Sequence, residues 1–201
     1  IPVFREFAGT LTGDEAFPNL RLIAVGGETI YDTDVDLYRK YFGAGCVFID
    51  RYGLTETETV SIYFIDDRSR IEEARVPIGH ASEEYEILVL NDYGEPVDQG
   101  ETGEIAIRSR YLSLGYWRLP ELTQARFLSD SEDPRARIFL TGDLGRTDDA
   151  GRTVVLGHKD AKVNIRGYLV ETSEIEGALL RADQILAAAV AMKGERPEDQ
   201  R

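Results

Sequence analysis

The sequence predicts an α/β protein in three parts. Residues 1–70 are predicted to be the end of a parallel-sheet βαβ subdomain, residues 71–158 a β-barrel-like subdomain, and residues 159–201 the start of a small α+β C-terminal domain. Three patterns carry this prediction: a strand, a helix and a strand in succession, then short strands separated by turn sequences, and finally a helix-start signal near the end of the chain.

The first part contains the strand–helix–strand pattern. Residues 18–25 are mostly apolar and stop at two glycines, which predicts a strand followed by a sharp turn. Residues 32–42 place apolar side chains on one helical face, with Asp32 or Thr33 as the expected N-cap, and residues 46–49 form a second apolar strand. Such a unit implies a parallel sheet covered by helices.

The second part alternates short strands with turns. The turns are expected at residues 91–94 and 148–151, which are rich in Asn, Asp and Gly. A helix is expected at Pro120–Phe127, because proline suits the first position of a helix. The strands, which together favour an antiparallel or barrel-like sheet, are expected at Tyr85–Leu90, Glu104–Arg108, Arg137–Leu140 and Thr153–Leu156.

The third part begins with two strands and continues with a helix. Residues 163–170 are predicted to form two strands joined by a turn. Ser173 and Glu176 have the spacing of a capping box, so a helix should run from there to about Arg181. Ile185–Met192 is expected to be a further strand.

Composition and charge narrow the classes of function. The 23 Lys and Arg against 37 Asp and Glu give a net charge of −14, which argues against a nucleic-acid partner and against a membrane surface of anionic lipid. No apolar run approaches the roughly 20 residues that span a bilayer. The single cysteine, Cys46, excludes an internal disulfide and a cysteine-based zinc site, so we expect a cytosolic (cytoplasmic) protein.

Residues 50–57 carry the densest chemistry. Tyr52 offers a ring that can stack on a base, Gly53 allows close approach of a ligand, Thr55 can bind a phosphate oxygen, and Glu56 can hold Mg²⁺. Ligands of open α/β sheets bind beyond the carboxyl ends of strands, where this segment is expected. On these residues alone, a strand-end loop with a packed tyrosine and a helix-capping threonine remains an alternative.

Further motifs accompany this segment, and their order and spacing matter more than any one of them. They are Gly26-Gly27-Glu28 and residues 103–107, 114–117, 139–144, 156–160, 165–168 and 174–176. With residues 50–57 they resemble the adenylate-forming superfamily, most of all an adenylation domain of a nonribosomal peptide synthetase. The resemblance implies ATP-dependent activation of a carboxylate as acyl-AMP with release of pyrophosphate, then transfer to the phosphopantetheine thiol of a carrier protein.

The same resemblance implies cofactors, partners and two alternatives. ATP and Mg²⁺ would be required, the substrate would be an amino, hydroxy, keto or aryl acid, and the thiol would come from a carrier protein or from CoA. A free-standing acyl- or aryl-CoA synthetase is one alternative, which Leu54 favours. A non-catalytic scaffold relative is the other, because His158 and Asn164 stand where the family usually has Arg and Lys.

The resemblance also implies the roles of single residues. Tyr52 would stack on adenine, Thr55 would contact the α-phosphate and Glu56 would coordinate Mg²⁺, with Thr55 and Glu56 taking part in catalysis. Asp143 would bind both ribose hydroxyls, a suitable task for a carboxylate, which only accepts hydrogen bonds. The other nucleotide-binding positions that it implies are Gly26, Gly27, Glu28, Asp50, Gly53 and His158.

The acyl pocket and the moving parts follow from the same comparison of motifs. Arg51 would either pair with an anionic group of the substrate or point elsewhere. Asp160 corresponds to the hinge between the large and the small domain, and Arg166 and Gly167 to the loop presented in the thioester-forming state. The residues expected to line the acyl pocket are Ile23, Val25, Arg51, Thr59 and Val60.

Two further parts of such an enzyme are expected outside residues 1–201. One is a Ser/Thr/Gly-rich phosphate loop with its lysine, and the other is a catalytic lysine that stabilises charge on the transferred group. We therefore expect the chain to be a piece of a longer protein and not to turn over by itself.

Overall fold

A computed structural model of the protein describes residues 1–42, 45–159, 162–165, 168–182, 185 and 188–190. The helices in this part of the chain are α1 (Pro2–Gly9), α2 (Asp32–Tyr41), α3 (Pro120–Arg126) and α4 (Thr172–Leu180). The strands are β1 (Leu22–Gly26), β2 (Val47–Leu54), β3 (Glu58–Ile65), β4 (Tyr85–Leu90), β5 (Gly103–Ser109), β6 (Phe127–Ser129), β7 (Arg137–Thr147), β8 (Thr153–His158), β9 (Lys162–Ile165) and β10 (Tyr168–Glu171). The predicted α/β class is confirmed.

The first sheet has the order β1-β2-β3. β1 and β2 are parallel, with Leu22 opposite Val47 and Gly26 opposite Arg51, and α2 connects them, so the predicted βαβ unit is confirmed. The prediction that the second strand ends at residue 49 was wrong. β3, which the sequence did not predict, pairs antiparallel with β2 and extends the hydrogen-bonded ladder as far as Leu54.

The first hydrophobic core lies between this sheet and the two helices α1 and α2. Phe48 of β2 is fully buried, and its ring centroid lies 5.1 Å from that of Phe4 and 5.3 Å from that of Tyr38. Helix α1 was not predicted from the sequence. It forms because its apolar residues, including the buried Phe4 and Ala8, meet this core.

Helix α2 begins differently from the prediction, which named Asp32 or Thr33 as the cap. The N-cap is Tyr31, whose backbone N–H donates to the Asp34 carboxylate at 2.9 Å. The same carboxylate accepts two hydrogen bonds from the Arg5 guanidinium, at 2.6 and 2.8 Å. Asp34 is only 1% exposed, and it therefore both caps α2 and ties that helix to α1.

The second sheet is antiparallel, with the order β4-β5-β7-β6 and β8 paired to β7. All four predicted strands are present, and helix α3 begins at Pro120 as expected. β7 is longer than predicted because β5 and β8 flank it over different parts of its length. The apolar residues buried against this sheet are Val60, Ile105, Ile107, Leu112, Phe127 and Phe139.

The last part of the described chain pairs β9 with β10, Tyr168 lying opposite Ile165, so the predicted two-strand unit is confirmed. Helix α4 begins at Thr172, one residue before Ser173. Ser173 therefore lies in the first helical turn and the prediction of it as N-cap was wrong. Of the strand predicted at Ile185–Met192, the described residues 185 and 188–190 are not in a strand, because no neighbouring strand pairs with them.

Asp34→Asn tests the ion pair that joins α1 to α2. Removing one charge leaves the Arg5 guanidinium unpaired in a largely buried position, so we expect a loss of about 2–4 kcal/mol in the free energy of unfolding, measured by urea denaturation. Asp36→Asn, on the exposed side of the same helix, should change that energy by less than about 0.5 kcal/mol. Equal effects of the two substitutions would contradict the structural role of Asp34.

Candidate functional site

A side-chain hydrogen bond links the two main sheets. Tyr52 of β2 donates its phenolic hydrogen to Oδ2 of Asp143 on β7, with an oxygen–oxygen distance of 2.7 Å. The two residues are 91 positions apart in the chain. The structure thus brings together the residues that the sequence analysis assigned to adenine and to ribose.

A local distortion of β7 presents Asp143. The Asp143 N–H donates to Oγ1 of Thr141 at 3.0 Å, and that hydroxyl donates to the carbonyl oxygen of Ile105 at 2.7 Å. Gly142 has φ +82°, and a Cβ there would lie 2.6 Å from Nε2 of His158. Glycine is therefore required beside Asp143 both for its backbone conformation and for the space that His158 occupies.

A cavity of about 220 Å³ lies around the Tyr52–Asp143 pair. Its wall combines both sheets with the segment after β1. Of the nine positions assigned to the nucleotide, six line this cavity: Gly27, Glu28, Asp50, Tyr52, Gly53 and Asp143. His158 lies opposite Asp143 in the β7–β8 pairing and does not line it.

Burial disfavours negative charge in this cavity. It raises the pKa of Asp50 to about 7, although a hydrogen bond from the Arg51 backbone opposes the change. Burial likewise raises the pKa of Asp143, against the hydrogen bond from Tyr52 and the attraction of His158. The pKa of Tyr52 lies well above its ordinary value, because the ring is buried beside the Asp143 carboxylate. Hydrogen-bond donors of a ligand would stabilise these buried carboxylates, so the site is suited to a ligand that donates hydrogen bonds.

A larger cavity, of about 740 Å³, is lined by residues of α1 and of the first sheet. The assigned acyl-pocket residues Ile23, Val25, Arg51 and Thr59 line it together with apolar side chains of α1. Val60 does not, because its side chain is fully buried in the core of the second sheet. Gly26, Gly27, Gly53 and Thr55 of the assigned nucleotide positions also reach this cavity, so the two spaces share one wall.

Thr55 and Glu56, the two residues expected to act on the phosphates, are adjacent in the turn between β2 and β3, but their side chains have different surroundings. Thr55 is exposed and lines the larger cavity, whereas Glu56 lines neither cavity. Oε1 of Glu56 accepts a hydrogen bond from Tyr116 at 2.7 Å. The fully buried Thr57 shapes this turn, because its Oγ1 accepts from the Leu54 N–H at 3.0 Å.

Several residues of the site were missed by sequence reasoning. Tyr116 and Glu104 lie inside motifs that the sequence analysis used, but spacing along the chain did not show which side chains they would meet. Glu104 accepts a hydrogen bond from the Gly142 N–H at 2.9 Å. Thr57 gave no signal beyond being a polar residue in a turn.

Some assigned positions cannot be located in the structure. Asp160, Arg166 and Gly167 lie outside the described residues, so the hinge and the thioester-state loop stay predictions.

In the described ranges, no helix has both the length and the apolar character needed to cross a membrane.

Comparisons with known proteins identify similar chains. The family model described as AMP-binding enzyme matches residues 4–117. The delta-poly-L-ornithine synthetase of Acinetobacter baumannii is 37% identical over 191 residues, which are 92% of this chain and 13% of that protein. The dimodular nonribosomal peptide synthase of Bacillus subtilis is 34% identical over 91% of this chain and 8% of its own length.

A solved structure supports the same grouping. PA1221, an NRPS protein containing adenylation and PCP domains, superposes with a TM-score of 0.70 at 26% identity, covering 99% of this chain and 40% of that chain. The chain therefore spans less than half of this structure and a small fraction of the two curated relatives.

The raised pKa of Asp50 predicts a pH-dependent stability that Asp50→Asn removes. Because the folded carboxyl holds its proton to about pH 7 and the unfolded one releases it near 3.8, the unfolded state binds fewer protons between these values. The wild-type free energy of unfolding should therefore fall relative to the variant as pH rises through that window, by up to about 1.4 kcal/mol per pH unit. Urea unfolding at pH 5, 6, 7 and 8 measures this, and a constant difference between the two proteins would contradict it.

Proposed function

The chain belongs to the AMP-binding enzyme family, and from that premise we propose the activity of the protein that contains it. That protein activates a carboxylic acid with ATP, forms an acyl-AMP and releases pyrophosphate. The acyl group then passes to the phosphopantetheine thiol of a carrier protein, and AMP leaves. The curated relatives and the adenylation–PCP structure favour a carrier protein over free CoA as the acceptor.

The contact between Tyr52 and Asp143 is the single observation that carries this proposal. A ribose diol offers two hydroxyl donors, and a carboxylate offers only acceptors, so Asp143 is suited to bind both hydroxyls. The Tyr52 ring stands beside it in the same cavity and offers a face on which a base can stack. A nucleoside is thus recognised by two chemically different groups that hold its two halves.

The acyl end of the reaction belongs to the larger cavity. Both cavities share Gly27, Arg51, Gly53 and Leu54, so a ligand that passes this wall would place its carboxylate next to the nucleotide phosphate. Holding both reactants in one geometry lowers the barrier to attack of the carboxylate on the α-phosphate. Arg51 is exposed at this wall, where it would meet the acyl group or the phosphates.

Glu56 is the residue we propose for Mg²⁺. Among the described residues, no group of three or more His, Cys, Asp and Glu side chains could hold a metal ion. Mg²⁺ is commonly bound through one or two carboxylates together with water and substrate phosphates, and Glu56 offers one such carboxylate. Tyr116 engages Oε1 of Glu56 and orients the carboxylate. When bound, the ion would neutralise charge on the phosphates.

The remaining assignments of the sequence analysis complete the proposal. Thr55 contacts the α-phosphate, and Asp160 is the hinge about which the part beyond residue 158 turns, with Arg166 and Gly167 approaching the thiol arm. The division of the chain at residues 70 and 158 belongs to the same proposal. A cytosolic location rests on the use of a single cysteine.

Asp143→Asn tests the nucleotide site. An amide retains the size of the carboxylate but loses its charge and one acceptor, so we expect AMP to bind at least about tenfold more weakly, measured by isothermal titration. Carboxylate-dependent ATP–pyrophosphate exchange by the natural protein should fall with it. Asp149→Asn, in the exposed turn between β7 and β8, is the matched control and should change neither. Unchanged AMP binding in the Asp143 variant would refute the ribose assignment.

Glu56→Gln tests the metal assignment. Loss of the carboxylate should weaken binding of Mg·ATP by about tenfold and leave AMP binding nearly unchanged, because AMP does not need the metal. The ratio of the two dissociation constants, from isothermal titration with and without Mg²⁺, isolates the effect of the ion. An equal loss of affinity for both nucleotides would instead indicate a distorted site. The exposed Glu83→Gln serves as the control.

A further inference from the structure

A carboxylate is buried behind the candidate ribose site. Glu104, near the start of β5, is 7% exposed, and a charge so placed needs partners. Its Oε1 accepts from the Gly142 N–H at 2.9 Å, and its Oε2 lies 2.8 Å from Nζ of Lys159. Arg126 stands farther away, with Nη1 at 3.9 Å from Oε1. The two oxygens of Glu104 therefore face different segments of the chain.

The first of these segments is a bulge in β7. In the β5–β7 pairing, Leu140 lies opposite Ala106 and Leu144 opposite Glu104, so residues 141–143 stand against the single residue Ile105. At this point β7 thus contains two more residues than a regular ladder would place opposite Ile105. Their polar groups use other acceptors: Thr141 Oγ1 donates to the Ile105 carbonyl, and the Gly142 N–H to Glu104.

The bulge turns Asp143 toward the Tyr52 hydroxyl. The Asp143 N–H donates to the Thr141 hydroxyl, and the N–H of the preceding residue, Gly142, donates to the Glu104 carboxylate. The Glu104 side chain therefore replaces an acceptor that the neighbouring strand would supply in a regular ladder. Without it, the Gly142 N–H would be a buried donor with a lost partner, which is unfavourable.

The second segment is the exit of the chain from the second sheet. Lys159 follows β8 directly and is the first residue beyond the division proposed at residue 158. Its side chain is 39% exposed, and Nζ also lies 3.7 Å from the exposed Asp92. The hydrogen bond with Glu104 raises the pKa of Lys159, so the ammonium is charged at neutral pH.

We propose that Glu104 is a positioning residue for the ribose-binding carboxylate of Asp143. Its side chain fixes the bulge that presents Asp143, and Lys159 supplies the counter-charge that limits its repulsion of Asp143. The proposal rests on the assignment of Asp143 to ribose. It also connects the nucleotide site with the first residue of the third part of the chain.

The groups around Asp143 determine the sign of the electrostatic effect. Burial is the main cause of the raised pKa of Asp143. Tyr52 from β2 and His158 from β8 oppose that rise by favouring the charged form, whereas Glu104 from β5 adds to it. Arg126 and Lys159 lie near Glu104 and offset its charge. Removing the charge of Glu104 and removing that of Lys159 must therefore shift the Asp143 titration in opposite directions.

Glu104→Gln and Lys159→Met test this directly in the present chain. Carboxyl ¹³C NMR follows the titration of Asp143, whose signal is identified by its loss in Asp143→Asn. We expect the midpoint to fall in Glu104→Gln, which retains the acceptor for Gly142, and to rise in Lys159→Met. Glu86→Gln, which breaks an exposed ion pair with Arg108 in the same sheet, should leave it unchanged.

A structural role alone would not shift the Asp143 midpoint in opposite directions. Midpoints equal to that of the wild type, or shifts of the same sign in both variants, would therefore overturn the proposal. If Glu104→Gln does not fold, as judged by near-ultraviolet circular dichroism, the direction in which Lys159→Met shifts the Asp143 midpoint tests the proposal, because Lys159 is partly exposed. AMP affinity measured against pH should show the same displacements. If the Asp143 midpoint shifts in opposite directions in the two variants but the protein does not bind AMP, the result would support Glu104 as a positioning residue and refute only the proposed function.

Discussion

The hydrogen bond from Tyr52 to Asp143 is the contact on which the site depends, because its two residues belong to different sheets. Six of the nine positions assigned to the nucleotide line the cavity around it. Tyr52 belongs to β2 because β3 extends the ladder past Arg51, where the pairing with β1 ends, and β7 presents Asp143 because it bulges beside Glu104. The chemistry of the site therefore depends on two departures from simple strand geometry, one in each sheet.

Of the acidic side chains in or beside this region, Asp50, Asp143 and Glu104 are each stabilised differently. Asp50 is buried and holds its proton to about pH 7. Asp143 accepts a hydrogen bond from a phenol, and Glu104 has a lysine and a backbone N–H. In a chain with a net charge of −14, the proton on Asp50 and the charge of Lys159 beside Glu104 limit the repulsion among these carboxylates.

Much of the architecture could be predicted from local patterns. The apolar runs and turn sequences predicted the βαβ unit and four of the five strands of the second sheet, all but β6, because hydrophobic periodicity and turn chemistry act over a few residues. The ends of β2, the existence of β3 and the cap of α2 could not be predicted in this way. Asp34 caps that helix because Arg5, 29 residues away, holds its carboxylate in place.

By itself the sequence determined the fold class and the family, since motif order and spacing are properties of the chain. Only the tertiary structure decided which side chains meet. It turned Glu56 toward Tyr116, buried Val60 in the second core and brought Glu104 beneath Asp143. The physical reason is that such contacts depend on strand register and on a bulge, and both are set by pairing partners far away in the chain.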